Sequence, residues 1–184
     1  GGGYGSFQGM GVDKLAEWMR KFGLGSKTGI DLPAEAAGFV PSRDWKKETK
    51  GISWFIGDTY NLSIGQGDLL VTPLQVAQYT EAIAMAGRRA APHLVKIDHV
   101  TTTQIAGDAS AYQETRLGMR DAVTLGSARV LSSLPFSAGA KTGTAQWNSN
   151  ANTHAWFTSF APFDAPEIVV TVLLEEGGEG STYA

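Results

Sequence analysis

The run Ile168-Val169-Val170-Thr171-Val172-Leu173-Leu174 constrains the fold more than any other stretch. It is almost continuously apolar and rich in β-branched residues, so it reads as a strand. A run without polar alternation argues for cover on both faces. A second strand, Ala155 to Phe160, precedes it across the turn Ala161-Pro162-Phe163-Asp164. A connection this short permits only an antiparallel return. A third segment, Ser137 to Gln146, has strand character but is interrupted by Gly139 and Gly143 and carries Lys141. Glycine and charge are tolerated at a sheet edge. The expectation is three consecutive antiparallel strands. The Lys141 strand lies at an edge, and the Glu167 to Leu174 strand lies furthest inside with one vacant side.

Helical periodicity appears three times. Val12, Leu15, Trp18 or Met19, and Phe22 repeat at helical spacing, with Asp13 as a candidate cap and Gly23 and Gly25 as stops. Thr72, Pro73 and Gln75 form a capping box with proline at the first helical position, opening a helix that runs towards Gly87. Ala111 to Thr124 places Leu117, Met119 or Arg120, and Val123 on one face. Between the first two helices, Gly29 to Trp54 reads as a surface excursion. It holds a short helix near Ser42 to Lys47 capped by Ser42. Its lysines read as a solvated face, and Trp45, Trp54 and Phe55 as the side chains that pack it down. Asp58 to Asp68 reads as turns, Pro92 to Thr103 as an edge strand or hairpin, and Gly1 to Gly11 as an ordered loop.

Composition removes several functions. No cysteine is present, which excludes disulfides, thiolate metal sites and a cysteine nucleophile. A formal charge of −3 gives no general attraction to nucleic acid. The three histidines, His93, His99 and His154, include no i, i+4 pair, and no HExxH motif occurs, so no metal is implied. Ala140-Lys141-Thr142 resembles the end of a phosphate loop, but Ala140 and Pro135 stand where glycines are required.

Lys141-Thr142-Gly143-Thr144 remains as the candidate site. A lysine on a sheet edge offers a fixed positive charge to a carboxylate. Gly143 clears the strand where a ligand would lie along it. The two threonines add hydroxyls, and a backbone N–H there suits an oxyanion. A K-T-G tripeptide alone is weak; it accompanies S-x-x-K and S-D-N in penicillin-binding proteins and class A β-lactamases.

The surrounding motifs make it specific. Gly29-Ile30-Asp31-Leu32-Pro33, Gly57-Asp58-Thr59, Ser63-Ile64-Gly65-Gln66-Gly67, Val71-Thr72-Pro73-Leu74-Gln75 and Lys141-Thr142-Gly143-Thr144-Ala145-Gln146 occur in that order. Together they resemble the transpeptidase domain of class B penicillin-binding proteins, most like the penicillin-binding protein 2 branch. The resemblance covers essentially residues 1–184. It implies the α/β (α+β) fold shared with serine β-lactamases, an antiparallel sheet flanked by helices. It also implies a D,D-transpeptidase that cross-links peptidoglycan stem peptides ending in D-Ala-D-Ala through a serine acyl-enzyme. Such proteins bind β-lactam antibiotics, use no cofactor, work with other wall-synthesis proteins and are anchored on the outer face of the bacterial cell membrane. By the same resemblance Lys141, Thr142 and Thr144 bind the substrate carboxylate, Gly143 gives access, and the Thr144 N–H forms half of an oxyanion hole.

One departure is large. No serine stands in S-x-x-K: Ser137 has Ala140 at the fourth position and Ser42 has Trp45. S-x-N is also absent, since Ser149 is followed two residues on by Ala151. In the family both motifs precede the segment resembling Gly1 to Gly11. The expectation is the C-terminal part of a transpeptidase domain, without the N-terminal part and the final helix that begins near Ser181. Such a piece would be inactive alone and would meet the N-terminal half of the domain, or a second chain, across its exposed apolar surface. Two alternatives stay open: a piece of a serine β-lactamase or D,D-carboxypeptidase, and a non-catalytic β-lactam sensor or scaffold.

Overall fold

In the computed structural model, residues 9–147 and 152–184 are described. The expected loop at Gly1 to Gly11 lies mostly outside them, as do Ser149 and Ala151. Helix α1 spans Gly11–Lys21, α2 Arg43–Lys50, α3 Ile56–Ser63, α4 Pro73–Ala84, α5 Ala109–Thr124 and α6 Gly180–Tyr183. Strands β1 (Arg88–Ala90) and β2 (Thr102–Gln104) form a small antiparallel pair. Strands β3 (Gly139–Ala145), β4 (His154–Ala161) and β5 (Ile168–Leu174) form an antiparallel sheet in the order β3-β4-β5.

The local signals explain most of these elements. The Ser42 hydroxyl accepts from Trp45 N at 3.2 Å, and Gly51 closes α2 in the left-handed conformation, φ 69°. Thr72 and Gln75 complete their capping box, with bonds of 3.1 and 2.9 Å. Helix α1 stops at Gly23, where φ is 94°. Its start differs from expectation: Met10 is the cap residue, while Asp13 sits in the first turn and meets Arg43 at 3.3 Å.

Two packing centres support the sheet. Val123, Ala128, Ala140 and Phe157 join α5 to β3 and β4. Phe160, Met119 and Ala84 form a second cluster, joined by Phe163 and Val169. Helix α4 reaches the sheet through a chain of hydroxyls: Thr80 to Thr158 at 2.9 Å and Thr158 to Thr171 at 2.8 Å. A separate cluster of Ala16, Leu24 and Val40 holds α1 and the excursion together.

Four expectations are corrected. The central strand is β4, whose Ala155, Phe157, Thr158, Phe160 and Ala161 are buried. Among the described residues, strand β5 has the vacant side expected of it, but not the expected cover on both faces, because its apolar side chains alternate. Thr171 turns towards α4, while Ile168, Val170, Val172 and Leu174 are 40–56% exposed. A continuous apolar run permits cover on both faces but does not supply it, and among the described residues no element covers that second face. Asp58 to Asp68 is not all turn, because α3 occupies its first half. Of Pro92 to Thr103, expected as an edge strand or hairpin, only Thr102 and Thr103 are strand, within the β1–β2 hairpin, and Pro92 to Val100 is loop. Its chain is held by the Asp31 carboxylate, which accepts from Leu94 N at 2.7 Å and Val95 N at 2.9 Å, and only the flanking β1 and β2 pair. Lys46 is not solvated: it is 6% exposed, with Nζ 2.5 Å from Asp58. The aromatic residues of the excursion do pack inwards in part, with Trp45 against Phe39 at 4.8 Å between ring centres. Phe55 is exposed.

Candidate active site

Strand β3 presents Lys141, Thr142, Gly143 and Thr144 on the free edge of the sheet. Its register against β4 pairs Lys141 with Thr158, Thr142 with Phe157, Gly143 with Trp156 and Thr144 with Ala155. Ala140, fully buried against Val123 and Phe157, anchors the strand just before the motif. The motif itself emerges towards solvent, with Lys141 and Thr144 exposed and Thr142 and Gly143 half-buried.

Alternation places Thr142 and Thr144 on one face and Lys141 on the other. The Lys141 ammonium curls back to donate to the carbonyl of Thr142 at 2.5 Å. Among the described residues no carboxylate pairs with it. That leaves a positive charge available to an incoming anion, unlike Lys46 and Lys50, which are paired with Asp58 and Asp68.

Each threonine hydroxyl is held by a neighbour. Ser127 Oγ lies 2.7 Å from Thr142 Oγ1. Gly180 N donates to Thr144 Oγ1 at 3.3 Å. A hydroxyl whose oxygen already accepts a hydrogen bond has its own proton left to donate. With Ser127 as donor, both threonine hydroxyls keep a proton to donate to an arriving carboxylate.

The backbone is held as well. Gln66 Nε2 donates to the Thr144 carbonyl at 3.2 Å. In an antiparallel strand the N–H and C=O of one residue point to the same side. Because the Thr144 carbonyl meets Gln66 beyond the strand edge, the Thr144 N–H also faces that edge. Gly143 has a second use besides access: a Cβ there would lie 3.3 Å from Trp156 Cβ. Gly180 is tighter still, since a Cβ on it would collide with the carbonyl oxygens of Gly143 and Trp156.

Sequence reasoning found the four motif residues but not Ser127, Gln66 or Gly180 as their supports. Gln66 stood inside a quoted motif without a role. The contacts join residues 15, 78 and 36 positions apart, which no local pattern reveals. His154, the histidine nearest the motif in the sheet, accepts from Glu176 N at 3.0 Å and stacks on Trp147. It serves the structure of this end of the sheet.

The penicillin binding protein transpeptidase domain family matches residues 5–184. The chain belongs to that family. The peptidoglycan D,D-transpeptidase MrdA of Acinetobacter baumannii is 35% identical over 200 residues, covering 95% of this chain and 30% of the relative. The chain therefore spans about a third of the length of the curated relatives it matches. Penicillin-binding protein 2 of Helicobacter pylori, solved in complex with MreC, superposes with a TM-score of 0.86 at 36% identity, covering 92% of this chain and 33% of that one. Penicillin-binding protein A of Mycobacterium tuberculosis, solved as an imipenem acyl-enzyme, gives a TM-score of 0.74 at 26% identity, with 93% and 39% coverage. The antiparallel sheet, its flanking helices and the edge position of the motif strand agree with the penicillin-binding fold expected from the sequence.

Proposed function

We propose that this chain is the C-terminal part of the transpeptidase domain of a peptidoglycan D,D-transpeptidase. The observation that carries the reading is Lys141-Thr142-Gly143-Thr144 on a sheet edge, with an ammonium that no acid among the described residues neutralises and two hydroxyls held by neighbours. Lys141, Thr142 and Thr144 bind the terminal carboxylate of a D-Ala-D-Ala stem peptide or of a β-lactam. Gly143 lets the ligand lie along the strand, and the Thr144 N–H stabilises the oxyanion. A serine outside this chain attacks the penultimate D-Ala carbonyl. The C–N bond breaks, D-Ala leaves with the serine proton, and an acyl-enzyme results. An amine of a neighbouring stem then takes the acyl group, and the serine recovers its proton.

The relatives favour this reading over a β-lactamase, a carboxypeptidase or a silent scaffold. The MrdA relatives are named transpeptidases, and a structural neighbour was captured as an acyl-enzyme. The Helicobacter pylori neighbour was solved with MreC, which supports a wall-synthesis partner here too. The whole protein would act at the outer face of the cell membrane, held by a segment outside these residues. No helix among the described residues is long and apolar enough to cross a membrane.

A fluorescent penicillin tests the reading. The full-length protein should acquire one covalent label, detected by intact mass, and the 184-residue chain alone should acquire none, because it carries no S-x-x-K serine. A full-length protein that never labels would overturn the proposal. A stoichiometric adduct on the isolated chain would show that the nucleophile lies within it.

A further inference from the structure

We infer that Gln66 is a positioning residue for the acylation step, acting through the backbone of Thr144. The inference rests on the reading of Thr144 as an oxyanion donor and goes beyond it by naming what holds that donor in place.

Thr144 stands between two peptide planes, and each is restrained from a different part of the chain. The Gly143–Thr144 plane carries the Thr144 N–H. It is backed by Gly180, which packs so closely that even a methyl group would strike the Gly143 carbonyl oxygen. The Thr144–Ala145 plane carries the Thr144 carbonyl, and Gln66 Nε2 donates to it at 3.2 Å. The edge of β3 has no strand beside it among the described residues, so without Gln66 that carbonyl is tied by no ladder bond on its outer side. A twist of this plane turns ψ of Thr144 and shifts the residue as a whole, including its N–H. An oxyanion donor contributes in proportion to how little it must reorganise during reaction. An error on the order of 1 Å is enough to lose much of its effect.

Gln66 is itself fixed. Its own N–H donates to the Asn61 carbonyl at 2.8 Å, and Gly65 N donates to Leu62 O at 3.0 Å, which folds the loop back onto the end of α3. Leu62, 1% exposed, buries that end. Gly65 and Gly67 take φ of 76° and 83°, left-handed conformations that allow the chain to turn on either side of Gln66. The turn thus presents a single amide side chain, on a buried helix end, to the one carbonyl that follows the oxyanion N–H. The apolar stripe of Ile56 and Tyr60 on α3 and Ile64 just after it carries no comparable assignment, because nothing in the structure shows what covers it.

The test uses the full-length protein and the chromogenic cephalosporin nitrocefin, with pre-covalent binding and the acylation rate constant separated by stopped-flow kinetics. Gln66→Leu removes the donor and should lower the acylation rate constant about tenfold, the effect of one lost hydrogen bond expressed in the transition state. Pre-covalent binding should change less than about twofold, because Lys141 and the two hydroxyls remain. Gln66→Lys keeps an N–H donor on a flexible stem and should recover most of the rate. If Gln66→Leu lowers the melting temperature, Gln66→Met, unbranched and of similar volume, replaces it. An unchanged acylation rate constant in the leucine or methionine variant overturns the inference, as does equal loss in the lysine variant. Either result, with the parent protein still labelled, leaves the transpeptidase reading standing. A parent that never acylates removes both.

Discussion

Lys46 and Lys141 are the same residue type put to opposite uses. Lys46 lies under the excursion at 6% exposure, paired with Asp58 at 2.5 Å and flanked by the rings of Trp54 and Phe55. Lys141 stands at the open edge of the sheet and, among the described residues, has only a backbone carbonyl for a partner. A cation withdrawn from water needs a fixed opposite charge, and once paired it has nothing left for a ligand. A cation at a strand edge keeps its hydration and its charge until an anion arrives. The difference teaches that a lysine's function is read from what neutralises it, and Lys50, half-exposed and paired with Asp68, falls between the two.

The comparison breaks first at Lys141. In the full-length protein Lys141→Ala should slow β-lactam acylation by about two orders of magnitude or more, since one such contact, once the bound ligand has displaced the water around it, is worth ~2.7–4 kcal/mol. Its melting temperature should stay that of the parent. Gel labelling over time and calorimetry check the two halves, and an alanine variant that labels at the parent rate removes Lys141 from the site.

Asp58→Asn should do the reverse. It leaves the Lys46 ammonium buried without its counter-charge. The expected loss of stability is about 2 kcal/mol, below the ~3–5 for a fully buried pair because the Asp58 side chain keeps 27% exposure. Acylation by the folded protein should stay at the parent rate, because an asparagine oxygen still accepts from Phe55 N and keeps α3 and the Gln66 turn in place. Denaturant unfolding measures the first, and a melting curve matching the parent's would show the pair to be ornamental.

Acid should sharpen the same contrast. The Lys46 ammonium and the Phe55 N–H hold the Asp58 carboxyl below its usual range, as the Val95 and Leu94 N–H groups do for Asp31. A lowered carboxylate stabilises the fold above its unfolded value and loses that contribution as pH falls through the folded one. Glu81, raised by burial, has the opposite sign: its contribution is present at low pH and lost as pH rises through its folded value. Glu17, Glu35 and Asp108 are lowered too, so among the described residues five lowered carboxylates stand against one raised, which predicts a melting temperature that drops between about pH 5 and pH 3. The drop should be shallower in Asp58→Asn. Parallel pH profiles for parent and variant would contradict this.

The smallest effect belongs to Lys50. Asp68→Asn should cost ~0.5 kcal/mol or less and vanish in high salt, because both side chains remain about 40% exposed. A loss as large as that of Asp58→Asn would mean that exposure does not grade these pairs.

The sequence by itself determined whatever depends on neighbours along the chain. The Ser42 and Thr72 caps, the glycine stop after α1, the antiparallel return at Ala161 and the strand carrying Lys141 to Thr144 all follow from local stereochemistry and from motif order. Tertiary structure decided the rest. Helix α3 contains Gly57, Asp58, Asn61 and Ser63, weak helix formers, and exists because Asp58 caps it at Phe55 N and Leu62 is buried. Leu94, Ile97 and Val100 recur every three residues rather than every two, which is not a strand's period, and Asp31 holds the Leu94 and Val95 N–H groups instead. The Ile168 to Leu174 run announces a strand and its antiparallel neighbour, but not that one of its faces is left uncovered. The fate of each lysine, and the convergence of Gln66, Ser127 and Gly180 on the motif, depends on contacts between distant segments. Burial and pairing are properties of the assembled surface, which no window of sequence contains.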